Sequence, residues 1–249
     1  IADYDLAITF DSRSVVAYYN RAVARQRKGD LTGAVSDYDR AIELNPRFAD
    51  AYLNRGVIRC GQGARAAGIN DFSRVIEIDP RDARAWNNRG RARGDQGDLA
   101  AAIADLDQAI KLDSRIVVGW SNRCSAHYLQ GALDAALADC NQALKLDAGN
   151  VNAWNVRGLA LQDKGDLEGA LADFDHAIKL YPKEAVFYSN RGRVWLTKDE
   201  PDRAMDDLNR ALALDPKMAE TWSYRGFAWL AKRDFTRALE DFGEALKHN

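Results

Sequence analysis

The sequence predicts an all-α solenoid of stacked helix-turn-helix repeats, and three columns of residues carry that prediction. Sliding the 249-residue chain against itself by 34 residues aligns Tyr18, Tyr52, Trp86, Trp120, Trp154, Tyr188 and Trp222. The same shift aligns Arg21, Arg55, Arg89, Arg123, Arg157, Arg191 and Arg225, and also Asp37, Asp71, Asp105, Asp139, Asp173, Asp207 and Asp241. A fixed period of this size means supersecondary units too small to bury an apolar face alone, each sharing a core with its neighbours. Function is therefore expected on the surface that stacking creates.

Residues 1–14 read as a half-repeat, a second helix alone, because Asp3, Tyr4 and Ala7 fall on second-helix columns. The first helix of that unit is missing, so the chain reads as a piece of something longer. Seven repeats then fill residues 15–249 as one continuous domain. With position 1 set at Val15, Ala49, Ala83, Val117, Val151, Ala185 and Ala219, position 8 is small throughout, from Ala22 to Gly226. Position 20 is Ala or Gly, position 24 is bulky in most repeats (Tyr38, Phe72, Leu106, Phe174, Leu208, Phe242), and position 27 is Ala except for Val75. These spacings fit two amphipathic helices with small residues where they cross. The helices break near Gly29-Asp30, Gly97-Asp98, Gly165-Asp166 and Arg233-Asp234, where glycine can end the first helix in a left-handed conformation and the aspartate can cap the second. Pro46, Pro80, Pro182 and Pro216 stop the second helix at position 32; Ser114 and Ala148 replace them, so those turns are expected to be less sharply fixed.

Read in the fifth repeat as Trp154, Gly158, Ala170, Phe174, Ala177 and Pro182, this pattern resembles the tetratricopeptide repeat over essentially the whole chain. The resemblance implies a right-handed superhelix, a non-enzymatic role and a concave groove that receives a peptide. One departure is systematic: arginine stands at position 7, where the family has leucine. Position 7 flanks the packing face expected from positions 4, 8 and 11, and position 23 flanks its counterpart on the second helix. Each arginine is therefore expected to bond an aspartate of its own or the preceding repeat through a two-pronged contact that lysine cannot reproduce. A phosphate-binding stripe is disfavoured by a net charge of −2.

Positions 2, 5, 6, 9, 12 and 13 are left on the other side of each first helix. Position 6 is Asn20, Asn54, Asn88, Asn122 and Asn190, interrupted by Val156 and Tyr224. A side-chain amide offers a donor and an acceptor, so repeated asparagines form a ladder able to hold a peptide backbone whatever its side chains. The ladder is similar to that in the repeat domain of the O-linked N-acetylglucosamine transferase, which implies the same use here. Tyr19, Leu53, Tyr128, Arg91 and Arg193 join the candidate peptide-binding set. Groove charges nearly cancel (Arg27, Arg84, Arg91 and Arg193 against Asp50, Asp95, Asp163 and Glu220), which favours a neutral, partly apolar guest. The lysines with which co-chaperones of the family grip an acidic C-terminus are absent from positions 2 and 5. A second reading is a substrate-recruiting or regulatory arm of an enzyme whose catalytic domain lies elsewhere; a third is a structural protein that assembles through its ends.

Composition narrows the partners. The balanced charge argues against nucleic acid, and no apolar stretch approaches the ~18 residues of a membrane span. His127, His176 and His248 show no metal-ligand or triad spacing, and no phosphate loop or nucleophile elbow is present, so neither cofactor nor catalysis is implied. His127 occupies a packing column. Cys124 and Cys140, at positions 8 and 24 of one repeat, read first as two buried thiols and second as a disulfide. Three cysteines mildly favour a reducing compartment such as the cytoplasm, whereas a start at Ile1 leaves room for a removed export signal, so localisation stays undetermined. Repeat two carries Gly61, Gly63 and Gly68 and has Ala64 where a capping aspartate belongs, so residues 58–70 are expected to be the most mobile internal stretch. Phe235, Leu239, Phe242 and Leu246 have no following repeat to cover them, which invites an end-to-end homodimer.

Overall fold

The structure is a computed structural model that describes residues 1–248. Among them stand fifteen α-helices and no strand. The chain divides into two compact units, Ile1–Ala126 and His127–Asn249. The half-repeat forms α1 (Ala2–Phe10). Full repeats follow as α2 (Val15–Arg27) with α3 (Leu31–Leu44), α4 (Ala49–Gly61) with α5 (Arg65–Ile78), and α6 (Ala83–Gly94) with α7 (Leu99–Leu112). They continue as α8 (Val117–Leu129), α9 (Leu133–Leu146), α10 (Val151–Asp163), α11 (Leu167–Leu180), α12 (Ala185–Thr197), α13 (Pro201–Leu214), α14 (Ala219–Ala231) and α15 (Phe235–Lys247).

The turn inside each repeat has one geometry. Position 15 is left-handed throughout, with φ from +80° to +85° at Gly29, Gly63, Gly97, Gly131 and Gly165. Asp199 and Arg233 adopt the same region at φ 58° and 60°, where a Cβ is strained. Asp30, Asp98, Asp166 and Asp234 then accept from the backbone N–H three residues on and cap the second helix. Ala64 and Ala132 offer no such bond. Between repeats, the position-4 aromatic donates to the position-32 carbonyl behind it: Trp86 to Pro80 at 2.9 Å, Trp222 to Pro216 at 2.8 Å and Tyr188 to Pro182 at 3.1 Å. Trp120 and Trp154 make the same bond to Ser114 and Ala148. Asp113 and Asp147 also accept from the N–H two residues on, so these two turns keep their geometry without proline.

In the first unit the core runs through Ala22, Ala34, Tyr38, Ala41, Ile42, Ala51 and Ile58, then Leu53, Phe72, Val75, Ala85 and Ala92. Burial pushes the Tyr38 phenol up to about 12, and it stays a neutral donor to Gln26. A Cβ on Gly56 would stand 2.7 Å from the Phe72 ring, so the helix pair closes only because position 8 is small. Gly68 is buried, and Cys60 Sγ fills the space its missing methyl would need. Cys60 is thus half-buried rather than exposed, and burial raises its thiol pKa. Cys124 is fully buried and disulfide-bonded, against the thiol expected.

In the second unit Ala170, Leu171, Phe174 and Val194 form one cluster, and Ala204, Met205, Leu208 and Ala228 another. Gly158 lies against Phe174 as Gly56 does against Phe72. Cys140 is likewise buried and disulfide-bonded. His127 is half-buried with Nε2 3.8 Å from Asp139, and its Nδ1 has no partner among the described residues. Leu239 and Leu246 of α15 stand 72% and 77% exposed, and Phe242 is partly covered by Phe227.

The packing face of the first helices differs from expectation. Positions 3 and 8 are buried in every repeat and position 10 in all but the first, while the aromatic at 4 and the arginine at 7 are half-buried. Within each unit, first helices pack against one another as well as against their own second helices, so their buried surface is two-sided (α4 against α6, α12 against α14).

The arginine column explains the half-buried flank. Arg21, Arg55, Arg89, Arg157, Arg191 and Arg225 each fork Nε and Nη2 onto the position-23 aspartate of their own repeat, at 2.6–3.0 Å. The remaining Nη1 reaches position 25 of the preceding repeat: Asp5, Asp39, Ser73, Asn141, Asp175 or Asn209, with Arg123 reaching Asp107. Every one of the seven guanidinium groups also lies 4.6–5.9 Å from the centroid of its position-4 ring. In the first unit a second arginine, Arg25, Arg59 or Arg93, closes on the same aspartate. In the second unit, Lys164, Lys198 and Lys232 instead pair with Asp134, Glu168 and Asp202 of the repeat before.

Asp173→Ala leaves the half-buried Arg157 fork without its carboxylate, and should lower stability by about 2–3 kcal/mol in urea unfolding. Ala64→Asp supplies the missing cap of α5. It should raise stability by about 1 kcal/mol and slow amide exchange within residues 58–70.

Candidate peptide-binding groove

Position 6 lies between the half-buried arginine flank at position 7 and a position 5 that is buried or half-buried, which recesses the asparagines without closing them off. In the first unit Asn20, Asn54, Asn88 and Asn122 are all half-buried, one on each successive first helix. They are not independent. Asn54 Nδ2 donates to the Tyr19 hydroxyl at 3.2 Å, and Asn122 Nδ2 donates to Asn87 Oδ1 at 3.0 Å. Asn87 Nδ2 in turn donates to Asn88 Oδ1 at 3.3 Å. One N–H of Asn54 and one of Asn122 are therefore spent on the preceding helix.

The neighbours sort differently from the expectation. Leu53 is buried in the core and is not a groove residue, because position 5 faces the adjoining first helix. Tyr19 is half-buried, its ring packed on Tyr38 and Phe48 and its hydroxyl committed to Asn54. Arg91 is exposed; Arg84 is paired with Asp82 and Asp50. Val23 and Val57 supply apolar surface.

In the second unit Asn190 repeats the pattern, donating to Asn155 Oδ1 at 2.9 Å. Arg193 is held by Gln162, whose Oε1 accepts from Nε at 3.1 Å and Nη2 at 2.8 Å. Burial, and then the Asp163 carboxylate, push the Tyr128 phenol up, so it is a neutral hydroxyl beside that acid. Phe227 and Leu230 stand exposed, with Leu159 and Leu196 half-buried. Sequence reasoning missed Asn87 and Asn155 as partners of the ladder. The available signal was a hydrogen-bonding residue at position 5 of alternate repeats (Tyr19, Asn87, Asn155), each 35 residues before a ladder asparagine.

Among the described residues no group of three His, Cys, Asp or Glu could hold a metal ion, and no helix is long and apolar enough to cross a membrane. No curated protein sequence matches the chain. Solved structures match its fold. A tetratricopeptide repeat protein from Parabacteroides merdae superposes with TM-score 0.76 at 18% identity, covering 95% of this chain and 93% of its own. The Cut9–Hcn1 hetero-tetramer of the APC/C gives TM-score 0.82 at 19% identity over 100% of this chain, which spans only 49% of that one. YrrB, described as a TPR protein with an unusual peptide-binding site, gives 0.58 at 19% identity, covering 79% of this chain and 97% of its own. At these identities the likeness is one of fold. The TPR repeat profile matches residues 27–63, and the tetratricopeptide repeat profile matches residues 59–115, 88–151 and 155–219, well over half of the chain. The chain belongs to the tetratricopeptide repeat family.

Proposed function

We propose that this chain is a non-enzymatic protein-interaction scaffold whose first helices hold an extended, largely neutral segment of another protein, with the position-6 asparagines pairing to its backbone. The observation that carries this reading is the state of those amides. Asn54, Asn122 and Asn190 are held by one N–H each, and their carbonyl oxygens have no partner among the described residues. A recessed polar group in a fixed orientation loses little freedom on binding. Apolar surface beside the ladder (Val57 in the first unit, Leu196 and Phe227 in the second) suits a guest with alternating small apolar residues. The peptide-binding site named for YrrB is consistent with this use of the fold.

Replacing Asn54, Asn88 and Asn122 together by alanine tests it. Each lost hydrogen bond is worth about 1 kcal/mol, so three should weaken capture of partner proteins by about two orders of magnitude in a quantitative pull-down. Circular dichroism should show the helices intact. Undiminished capture by the folded triple variant would overturn the reading.

A further inference from the structure

A ladder of identical amides need not present identical faces. An asparagine has a donor end and an acceptor end, and whichever end a neighbour engages leaves the other for the groove. In the third and fourth repeats the engaged ends differ. Asn87 Oδ1 accepts from Asn122, so Asn122 is held by its nitrogen and keeps its oxygen. Asn87 Nδ2 donates to Asn88, so Asn88 is held by its oxygen and keeps both N–H groups. Asn87 itself is only 5% exposed, at a position where repeats two, four and six carry Leu53, Ser121 and Ser189.

We propose that Asn87 is a positioning residue that sets the polarity of the ladder, making Asn88 a donor rung and Asn122 the adjacent acceptor rung. This rests on the groove reading above and deepens it by naming what the guest must offer. Asn88 then meets a peptide carbonyl and Asn122 meets a peptide N–H. Neighbouring helices lie about 8–10 Å apart, so the two rungs meet backbone groups about three extended residues apart. Every residue has a carbonyl, but proline and N-alkylated residues lack the N–H, so the groove rejects them at the register facing Asn122. The arrangement occurs at one place among the described residues. Asn155 accepts from Asn190 in the same way, but its neighbour is Val156, which cannot be a donor rung. Tyr19 orients Asn54 without bonding Asn20.

The probe is a pool of acetylated, amidated peptides of about 15 residues built from Ala, Ser, Thr and Val, screened against the full chain by fluorescence anisotropy. The tightest binder is remade with single backbone N–H groups replaced by ester oxygen. With the native chain, one replacement should weaken binding about tenfold, marking the N–H that Asn122 accepts. In Asn87→Leu, which copies the leucine that repeat two carries at Leu53, the same replacement should cost less than twofold, because Asn122 is no longer held. Asn87→Ser, as at Ser121 and Ser189, serves if the leucine variant does not fold. An equal tenfold cost in native and variant chains would overturn the role of Asn87 alone. A pool without binders, or equal binding by the Asn54, Asn88 and Asn122 triple variant, would remove the groove reading itself and this proposal with it.

Discussion

The position-7 guanidinium is the interaction on which the repeat depends. Its fork satisfies a nearly buried aspartate of its own repeat, its third nitrogen bonds the second helix of the repeat before, and its flat face covers the aromatic ring at position 4. A carboxylate so deeply buried would be costly alone. Here it accepts two parallel bonds, and in the first unit a third from Arg25, Arg59 or Arg93. Lysine has neither the planar fork nor the stacking face, which accounts for arginine in every repeat.

The ring on which the guanidinium lies is itself tied to the chain. From the third repeat onward the indole or phenol donor reaches the carbonyl at position 32, so there the turn between repeats, the aromatic column and the arginine column form one connected set. The two units build the rest of the flank differently. Arginine at position 11 in the first becomes Leu161, Trp195 and Trp229 in the second, where Arg203 and Arg237 lie over the tryptophan rings. Ion pairs between the turns and the preceding second helix appear in the second unit, where Lys164, Lys198 and Lys232 supply the cations.

Much of this was legible in the sequence. The period marked where each first helix begins, and Gly29-Asp30 and its equivalents carried the turn geometry because left-handed backbone and a capping carboxylate each demand few residue types. The Arg–Asp pairing was readable because two charged columns recur in register. What was not legible depended on a third surface. A helical wheel built on one packing partner assigns position 5 to the groove, but α4 and α6 also pack against each other, so Leu53 is core and Asn87 is a buried link between helices. The position-25 acceptors escaped notice because Asp, Asn and Ser alternate there, and a column of mixed residue types hides a shared role. The disulfide state of Cys124 and Cys140 also ran against the favoured reading, since composition speaks to compartment and not to geometry.

The reach of Nη1 to the preceding repeat has a consequence for how such an array can grow. The three bonds of each guanidinium span from sixteen residues behind it to sixteen ahead, nearly one full period. Duplicating or excising one period of sequence, wherever the cut falls, returns every arginine to an equivalent set of acceptors. An insertion or deletion of half a period strands the arginines whose bonds span the cut. The charge network thus tolerates recombination in whole units and penalises every other step, so changes in array length are quantised by electrostatics as much as by the packing of helices.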